Sequence, residues 1–233
     1  ICAGDSVQLQ GSGSGVLLWT PAAGLSDPTI PDPLASPEAT TFYTLTATGS
    51  NACVNSDQVT VVVNLLPNAN GGPDKVICLG DSVQIGTPSP GTFTWTPATG
   101  LSATDVAAPL ASPTVSTMYY VSVSDTNACS ASDSVFVTVT EPISAGGDGS
   151  VTICSNMSAW LFDHLTGSYD ASGVWQDPTF IDNDADFDPS LGDDPGAWYY
   201  IVQVANSACP PDTAVVNVAV NTLPDAGADQ SVD

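Results

Sequence analysis

Two octapeptides decide how this chain folds: residues 1–8 read ICAGDSVQ and residues 77–84 read ICLGDSVQ. They differ at one position, and their residue numbers have a constant offset. The same offset relates WTPA at 19–22 to 95–98, GLS at 24–26 to 100–102, PLASP at 33–37 to 109–113 and NAC at 51–53 to 127–129. A constant offset without insertions predicts tandem copies of one folded module.

A third, diverged copy follows, because Cys154 stands at the same offset from Cys78 and is followed by Trp175, WYYIV at 198–202 and Cys209. The predicted domains are module 1 (1–66, lacking its first strand), module 2 (67–141), module 3 (142–222) and the opening strand of a next module (223–233). This phasing fits one period of a longer covalent array. It also fits separate subunits in which residues 223–233 complete the next copy by strand addition.

Each module contains short runs of alternating apolar and polar residues, such as FYTLTAT at 42–48, separated by turns rich in Gly, Pro and Asn. Several such strands in about 75 residues predict an all-β chain of tandem β-sandwiches arranged as an extended rod. Trp19, Trp95 and Trp175 recur at similar places and are predicted core residues. The alternative is that these indoles form surface platforms for sugars.

The charge of the chain is strongly negative: 25 Asp and Glu residues face one Lys, Lys75, and the net charge is −24. Nucleic acid and anionic membrane surfaces need clustered cations, so both are excluded as partners. No apolar run is long enough to predict a membrane-spanning helix. Such acidity favours solubility and keeps neighbouring copies apart.

Six cysteines lie at positions 2, 53, 78, 129, 154 and 209. Their spacing favours one disulfide in each module, Cys2–Cys53, Cys78–Cys129 and Cys154–Cys209, each clamping one end of a sandwich. Disulfides predict an oxidising, extracellular setting. The alternative is six free thiols, and a bond between different modules would contradict the arrangement.

The motifs ICxGDSVQ, WTPAxGLS, PLASP and NAC resemble the immunoglobulin-like repeats of very large surface proteins of gliding, type IX-secreting bacteria. LFDHLTGSYDASGVWQDP and PGAWYYIVQ in module 3 resemble a second repeat type of the same proteins, so the resemblance covers nearly the whole chain. It implies immunoglobulin-like modules outside the cell, with O-glycans at Asp-Ser/Thr followed by an apolar residue. Ser6, Ser82, Ser134 and Thr213 fit that pattern, which also occurs in ordinary turns that enter a strand.

Alternate carboxylates in module 3 resemble the start of a calcium loop. The candidate ligands are Asp182, Asp184, Asp186, Asp188 and Asp193. Phe187 replaces the glycine of such loops, and a solvated acidic loop is the alternative. No cofactor is required by the sequence, with calcium the only candidate.

No catalytic set is recognisable, since the single histidine, His164, has no nucleophile motif beside it. The chain is therefore predicted to be no enzyme but a structural repeat unit of an extracellular filament or giant surface adhesin, a passive load-bearing spacer. Its expected partners are copies of itself, head to tail, with extracellular polysaccharide as a further candidate. The alternatives are a carbohydrate- or partner-binding module, with Trp160, Trp198 and Tyr199 as contacts, and the spacer of a secreted enzyme.

Overall fold

The structure is a computed structural model that describes residues 1–205 and 207–224. The opening strand predicted at 223–233 lies, from residue 225 onward, outside the described residues. Within them the elements are strands, with one short 3-10 helix, Leu161–His164. None of the described helices is long and apolar enough to cross a membrane. The prediction of an all-β fold is confirmed.

The chain forms two compact units, each described here by itself. Unit 1 contains Ile1–Asp74, Val83–Ser112 and Met118–Phe136. Unit 2 contains Lys75–Ser82, Pro113–Thr117 and the chain from Val137 onward. Module 1 falls wholly in unit 1 and module 3 in unit 2, and the three-module division with its boundaries stays a prediction.

Module 1 has five strands: β1 Val7–Gln8, β2 Val16–Thr20, β3 Leu34–Ala35, β4 Thr41–Thr48 and β5 Val54–Val61. β4 is the centre of a three-stranded antiparallel sheet with the order β2-β4-β5. β1 pairs with β3 in a second small sheet. Cys2 forms a parallel bridge with Asn64, so the chain segment before β1 runs alongside the last strand.

Module 2 repeats these strands as β6 Lys75–Cys78, β7 Val83–Gln84, β8 Thr92–Thr96, β9 Leu110–Ala111, β10 Thr117–Ser124 and β11 Ser130–Thr140. β10 pairs with β8 and β7 with β9, both antiparallel. β6 pairs in parallel with the last residues of β11.

Module 3 contains β12 Gly149–Cys154, β13 Ala159–Trp160, β14 Val174–Gln176, β15 Asp182–Asn183, β16 Asp186–Phe187, β17 Gly196–Val202 and β18 Asp212–Asn221. Five of these form one sheet with the order β12-β18-β17-β14-β15, and β13 pairs with β16. β12 runs parallel to β18, whereas the other neighbours are antiparallel. A first strand parallel to the last, followed by two antiparallel neighbours, is the strand arrangement of an immunoglobulin-like sandwich.

The core of each module is a cluster of aromatic and branched side chains between the sheets. In module 1 it consists of Leu9, Trp19, Ala35, Tyr43, Leu45 and Val61. The equivalent residues of module 2 are also buried: Ile85, Trp95, Ala111, Tyr119, Val121 and Val137. Trp175 holds the same place in module 3, beside Tyr200. Trp19, Trp95 and Trp175 are each at most 3% exposed, so they offer no platform to a sugar.

Candidate functional site

Both disulfides of the structure join a cysteine of one module to a cysteine of the next. Cys2 is bonded to Cys129, and Cys78 is bonded to Cys209. The predicted pairs Cys2–Cys53, Cys78–Cys129 and Cys154–Cys209 are therefore wrong. Each bond encloses 127 or 131 residues of chain, far more than a bond within one module would enclose.

The strand topology explains why a bond within a module cannot form. In module 3, Cys154 pairs with Asn221 at the far end of β18, because β12 and β18 are parallel. Cys209 precedes the beginning of β18, at the opposite end from Asn221. At roughly 3.3 Å per residue, the ten residues of β18 separate its two ends by about 30 Å. A disulfide needs Cα atoms within about 7 Å of each other.

The bond at Cys209 is accompanied by contacts to the last strand of module 2. The Cys209 sulfur lies 3.4 Å from the Thr140 carbonyl oxygen and 3.5 Å from its hydroxyl. Thr140 pairs with Cys78, the partner of Cys209. The loop before β18 is thus fixed against the end of module 2 by a covalent bond and by polar contacts.

Two cysteines remain as thiols: Cys53, which is exposed, and Cys154, which is partly buried. Cys53 lies in the loop between β4 and β5, and Cys154 ends β12. Sequence spacing alone did not identify them, because the repeat gives every module an equivalent pair of cysteines.

Each module has a buried tyrosine on the strand before its last one, and the hydroxyl of this tyrosine is hydrogen-bonded to a backbone carbonyl. The hydroxyl of Tyr43 donates to the Ala23 carbonyl (2.9 Å), and that of Tyr119 donates to the Thr99 carbonyl (2.8 Å). In module 3 the Tyr200 hydroxyl donates to the Asp170 carbonyl and accepts the Gly173 N–H. Burial raises the pKa of all three tyrosines above the ordinary range. Each hydroxyl thus joins this strand to a connection 20 or 30 residues earlier in the chain, a contact that sequence reasoning had missed.

In modules 2 and 3, carboxylates form hydrogen bonds between the segment before the first strand and the last strand. Asp133 on β11 accepts the Gly71 N–H, and Asp212 on β18 accepts the Ala145 N–H. In the opposite direction, Asp74 accepts the Phe136 N–H and Asp148 accepts the Val215 N–H. Part of the negative charge of the chain is therefore used in backbone capping.

The same edge of module 1 carries no opening strand in the part of the chain that the structure describes. Asp57, the equivalent of Asp133, accepts only the N–H of its neighbour Gln58 among the described residues. Beside it lies a groove of about 500 Å³, lined by β1, by Val59 to Val62 and by Ile1. The Ile1 ammonium group donates to the Val62 carbonyl at 3.0 Å.

The acidic loop does not bring its carboxylates together as a metal site. Among the described residues, no three His, Cys, Asp or Glu side chains are placed to hold a metal ion. Its side chains instead accept hydrogen bonds from the chain nearby, from the N–H of Asp186 to Asp184, Ser190 to Asp188 and Asp188 to Asp193, and from the Gln176 side chain to Asp182. A calcium requirement stays a prediction, and this geometry does not favour it.

The four predicted glycan acceptors, Ser6, Ser82, Ser134 and Thr213, are all exposed. Ser6 and Ser82 precede β1 and β7, whereas Ser134 and Thr213 lie within β11 and β18. Because Asp133 and Asp212 beside the latter two already bind opening strands, their Asp-Ser/Thr motifs have a structural role. Glycosylation stays a prediction at all four.

Of the three proposed sugar contacts, Trp198 is fully buried and donates its indole N–H to the Asp194 carbonyl. Trp160 is half exposed, with its ring centroid 5.6 Å from that of Phe162. Tyr199 is partly exposed and stacks on the exposed Phe180 at 5.2 Å. The structure therefore removes Trp198 from the candidate contacts.

Comparison with known proteins finds similarity in structure only. No protein-family model matches the chain. No curated protein matches it either. The chain is similar to the titin I-band fragment I67–I69, with 13% identity over 94% of each chain and a TM-score of 0.46. It is similar to the insect immune protein hemolin, with 11% identity over 94% of this chain and 72% of that one, TM-score 0.41.

A third similar structure is the I9–I11 tandem of titin, with 10% identity over 94% of this chain and 95% of that one, TM-score 0.32. The immunoglobulin-like fold rests on the strand order given above. The two disulfides are typical of secreted proteins.

Proposed function

We propose that this chain is a structural repeat unit of an extracellular bacterial filament or giant surface adhesin, and that it works as a passive, load-bearing spacer. The observation that carries the proposal is that each disulfide crosses a module boundary. A bond of this kind limits how far successive modules separate under tension, even when the polypeptide between them is stretched. The motifs that resemble the repeats of bacterial surface proteins support an extracellular, bacterial setting.

The disulfides limit the length to which the chain can be extended. The chain from Cys2 to Cys78 is one repeat period long, and Cys78 is bonded to Cys209. The shortest covalent route from Cys2 to Cys209 passes through the Cys2–Cys129 bond, back along the chain to Cys78 and through the Cys78–Cys209 bond, whatever unfolds. At roughly 3.5 Å per residue, the chain between Cys78 and Cys129 spans about 180 Å, against roughly 700 Å from Cys2 to Cys209 in the reduced chain. A spacer that must hold distance under load benefits from that limit.

Copies of the chain joined head to tail are the proposed partners. Asp133 and Asp212 each accept an N–H of the segment before a first strand, and Asp57 stands at the equivalent place of module 1. The sequence counterpart of those segments is residues 223–233, supplied by the preceding copy. A continuous array and a polymer of separate subunits would place the segment in the same groove.

Immunogold labelling of intact cells, with antibody raised against this chain, tests the proposal. We expect label along extracellular filaments or fibrous surface material, and label confined to the cell interior would contradict it. Boiling the native protein in SDS with reductant then separates the two forms of assembly. A species far larger than 23.6 kDa indicates a covalent array, and one near 23.6 kDa indicates separate subunits.

Carbohydrate binding is the second candidate function, and the half-exposed ring of Trp160 beside Phe162 favours it. Amphipathic aromatic rings are well suited to a surface that is partly wet. On a glycan array, Trp160→Ala would abolish binding, while Phe180→Ala, which removes another exposed ring, would leave it unchanged. Absence of binding by the unmodified chain across a broad array would count against this function.

A further inference from the structure

The two unpaired cysteines occupy the two kinds of position that the bonded cysteines occupy. Cys78, which ends β6, and Cys2, at the equivalent place of module 1, are each bonded to a cysteine in the loop before the last strand of the following module. Cys154 is of the first kind and Cys53 is of the second. We propose that Cys154 of one copy of this chain forms a disulfide with Cys53 of a second copy.

The backbone around Cys154 has the geometry of the two bonded sites. In all three modules the cysteine pairs in parallel with the end of the last strand, at Asn64, Thr140 and Asn221. In all three its carbonyl accepts the N–H of the residue three positions later, Asp5, Asp81 or Met157, at 3.0 Å. The next residue in each donates its N–H to the last strand, at 2.8 to 2.9 Å. Cys154 is therefore held as Cys2 and Cys78 are held.

The loop that carries Cys53 matches the loop that carries Cys129. Ala52 and Ala128, the residues before the cysteines, have φ angles of 61° and 62°. The Cys53 carbonyl accepts the Gly49 N–H at 2.9 Å, and the Cys129 carbonyl accepts the Asp125 N–H at 3.0 Å. A non-glycine residue in the left-handed region is uncommon, so its recurrence marks one specific loop conformation. Cys53 is thus presented as the bonded Cys129 is presented.

Each disulfide of the structure joins a strand-end cysteine to the loop cysteine of the module that follows it. Cys154 belongs to module 3 and would need the cysteine loop of a following module, whereas Cys53 belongs to module 1 and would need the strand end of a preceding one. A second copy supplies both needs at once, because its Cys53 follows Cys154 of the first. Neither formed bond joins two cysteines of the same kind, so Cys53–Cys53 and Cys154–Cys154 pairs are not expected.

The bond forms by exchange with a disulfide oxidant such as oxidised glutathione. The Cys154 thiolate attacks the oxidant, forming a mixed disulfide and releasing one glutathione thiol. The Cys53 thiolate of the second copy then attacks the Cys154 sulfur and releases the second glutathione. The two cysteines lose two electrons and two protons, and the glutathione disulfide is reduced to two thiols.

Two single variants of the full chain test this pairing. Cys53→Ser keeps only the Cys154 thiol, and Cys154→Ser keeps only Cys53, with both formed disulfides left in place. Each variant alone, in a redox buffer of oxidised and reduced glutathione, is expected to stay monomeric on SDS gels without reductant. An equimolar mixture is expected to give a dimer at least tenfold above either variant alone, with a Cys53–Cys154 peptide in its digest. The unmodified chain should give a ladder.

A thiol moved by one residue serves as the matched control. Cys154→Ser combined with Cys53→Ser and Val54→Cys leaves one unbonded thiol, on the opposite side of an exposed strand end. Mixed with Cys53→Ser, which supplies the Cys154 thiol, it should give at least tenfold less dimer than Cys154→Ser does. Circular dichroism melting checks that all variants fold as the unmodified chain does.

The proposal is overturned by homodimers of either single variant at the yield of the mixture. It is also overturned by a bond between Cys53 and Cys154 of one chain, or by no dimer from the mixture at high protein concentration. The inference deepens the proposed spacer function, since it assigns the bond between successive copies. The two can fail separately, because immunogold labelling of filaments does not depend on these thiols.

Discussion

At the scale of single residues, the buried tyrosine of module 2 shows how one hydroxyl fixes a connection between strands. Tyr119 is fully buried, and its hydroxyl meets the Thr99 carbonyl at 2.8 Å across 20 residues of chain. Tyr43 makes the equivalent bond to Ala23 in module 1. Loss of a hydrogen bond of this kind destabilises the folded state. The tyrosine therefore supplies both core volume and the partner of that carbonyl.

Replacement of Tyr119 by phenylalanine tests this role. Tyr119→Phe keeps the ring but removes the hydroxyl, so we expect the free energy of unfolding to fall by about 1 to 3 kcal/mol. Tyr120→Phe is the matched control, because Tyr120 is 56% exposed, and its effect should stay below about 0.5 kcal/mol. Urea denaturation, followed by tryptophan fluorescence, measures both. Equal effects of the two substitutions would contradict the assignment.

Which of two neighbouring aromatic residues lies inside could be predicted only in part. Tyr43 is fully buried and Phe42 is 59% exposed, although phenylalanine is the more apolar residue. The alternation of side chains along β4 explains which ring is buried, because Tyr43 and Leu45 lie on one face of the strand and Phe42 lies on the other. The alternation was visible in the sequence. The hydroxyl bond was not, because its acceptor is a backbone carbonyl, which any residue type could provide.

At the scale of elements, the opening strand of each module depends on carboxylates as well as on backbone pairing. Asp133 and Asp74 form reciprocal hydrogen bonds with the N–H groups of Gly71 and Phe136. Module 3 repeats both bonds with Asp212 and Asp148. These hydrogen bonds fix the segment before the first strand to the last strand. The acidic composition therefore contributes to module closure in addition to solubility.

Removal of the Asp133 carboxylate should loosen the opening segment of module 2. Asp133→Ala is expected to cost about 1 to 3 kcal/mol, as hydrogen bonds to charged groups do, and to speed hydrogen exchange at the Gly71 amide. Asp57→Ala is the control, because Asp57 accepts only the Gln58 N–H among the described residues. Its effect on stability should stay within about 0.5 kcal/mol. Unchanged exchange at Gly71 in Asp133→Ala would refute the role.

The disulfide pairing could not be predicted from cysteine spacing, because it depends on the strand topology. In a tandem repeat of constant period, bonds within a module and bonds between modules both recur at regular intervals. Topology separates them: the first strand is parallel to the last, so Cys154 lies at the far end of β18 from Cys209. The sandwich was predictable from alternation and turns. The parallel pairing of two strands far apart in sequence was not.

At the scale of the whole molecule, the disulfides connect neighbouring modules and do not close each module separately. With bonds inside modules, each sandwich would be closed separately and the linkers would carry all tension. The bonds Cys2–Cys129 and Cys78–Cys209 instead run across the linkers, and each encloses a neighbouring module. The prediction that each module is clamped by its own disulfide is wrong, and the proposed spacer role rests on the bonds between modules instead.

Trypsin provides a direct test of this connectivity, because Lys75 is the only lysine and the chain has no arginine. Cleavage of the denatured, thiol-alkylated chain gives the fragments 1–75 and 76–233. Cys2–Cys129 spans the cut, so the fragments should stay together without reductant and separate when dithiothreitol is added. Bonds within modules would all lie on one side of the cut, and the fragments would separate in both conditions.

The variant Cys2→Ser completes the argument, since it removes the one described bond that crosses residue 75 and leaves Cys78–Cys209 within the larger fragment. Its fragments should separate without reductant. Alkylation before reduction should label Cys53 and Cys154 in the monomeric unmodified chain and leave the other four cysteines unlabelled. Label on Cys129 or Cys209 in that chain would mean that these junction bonds are absent, and the limit on extension between modules would be lost with them.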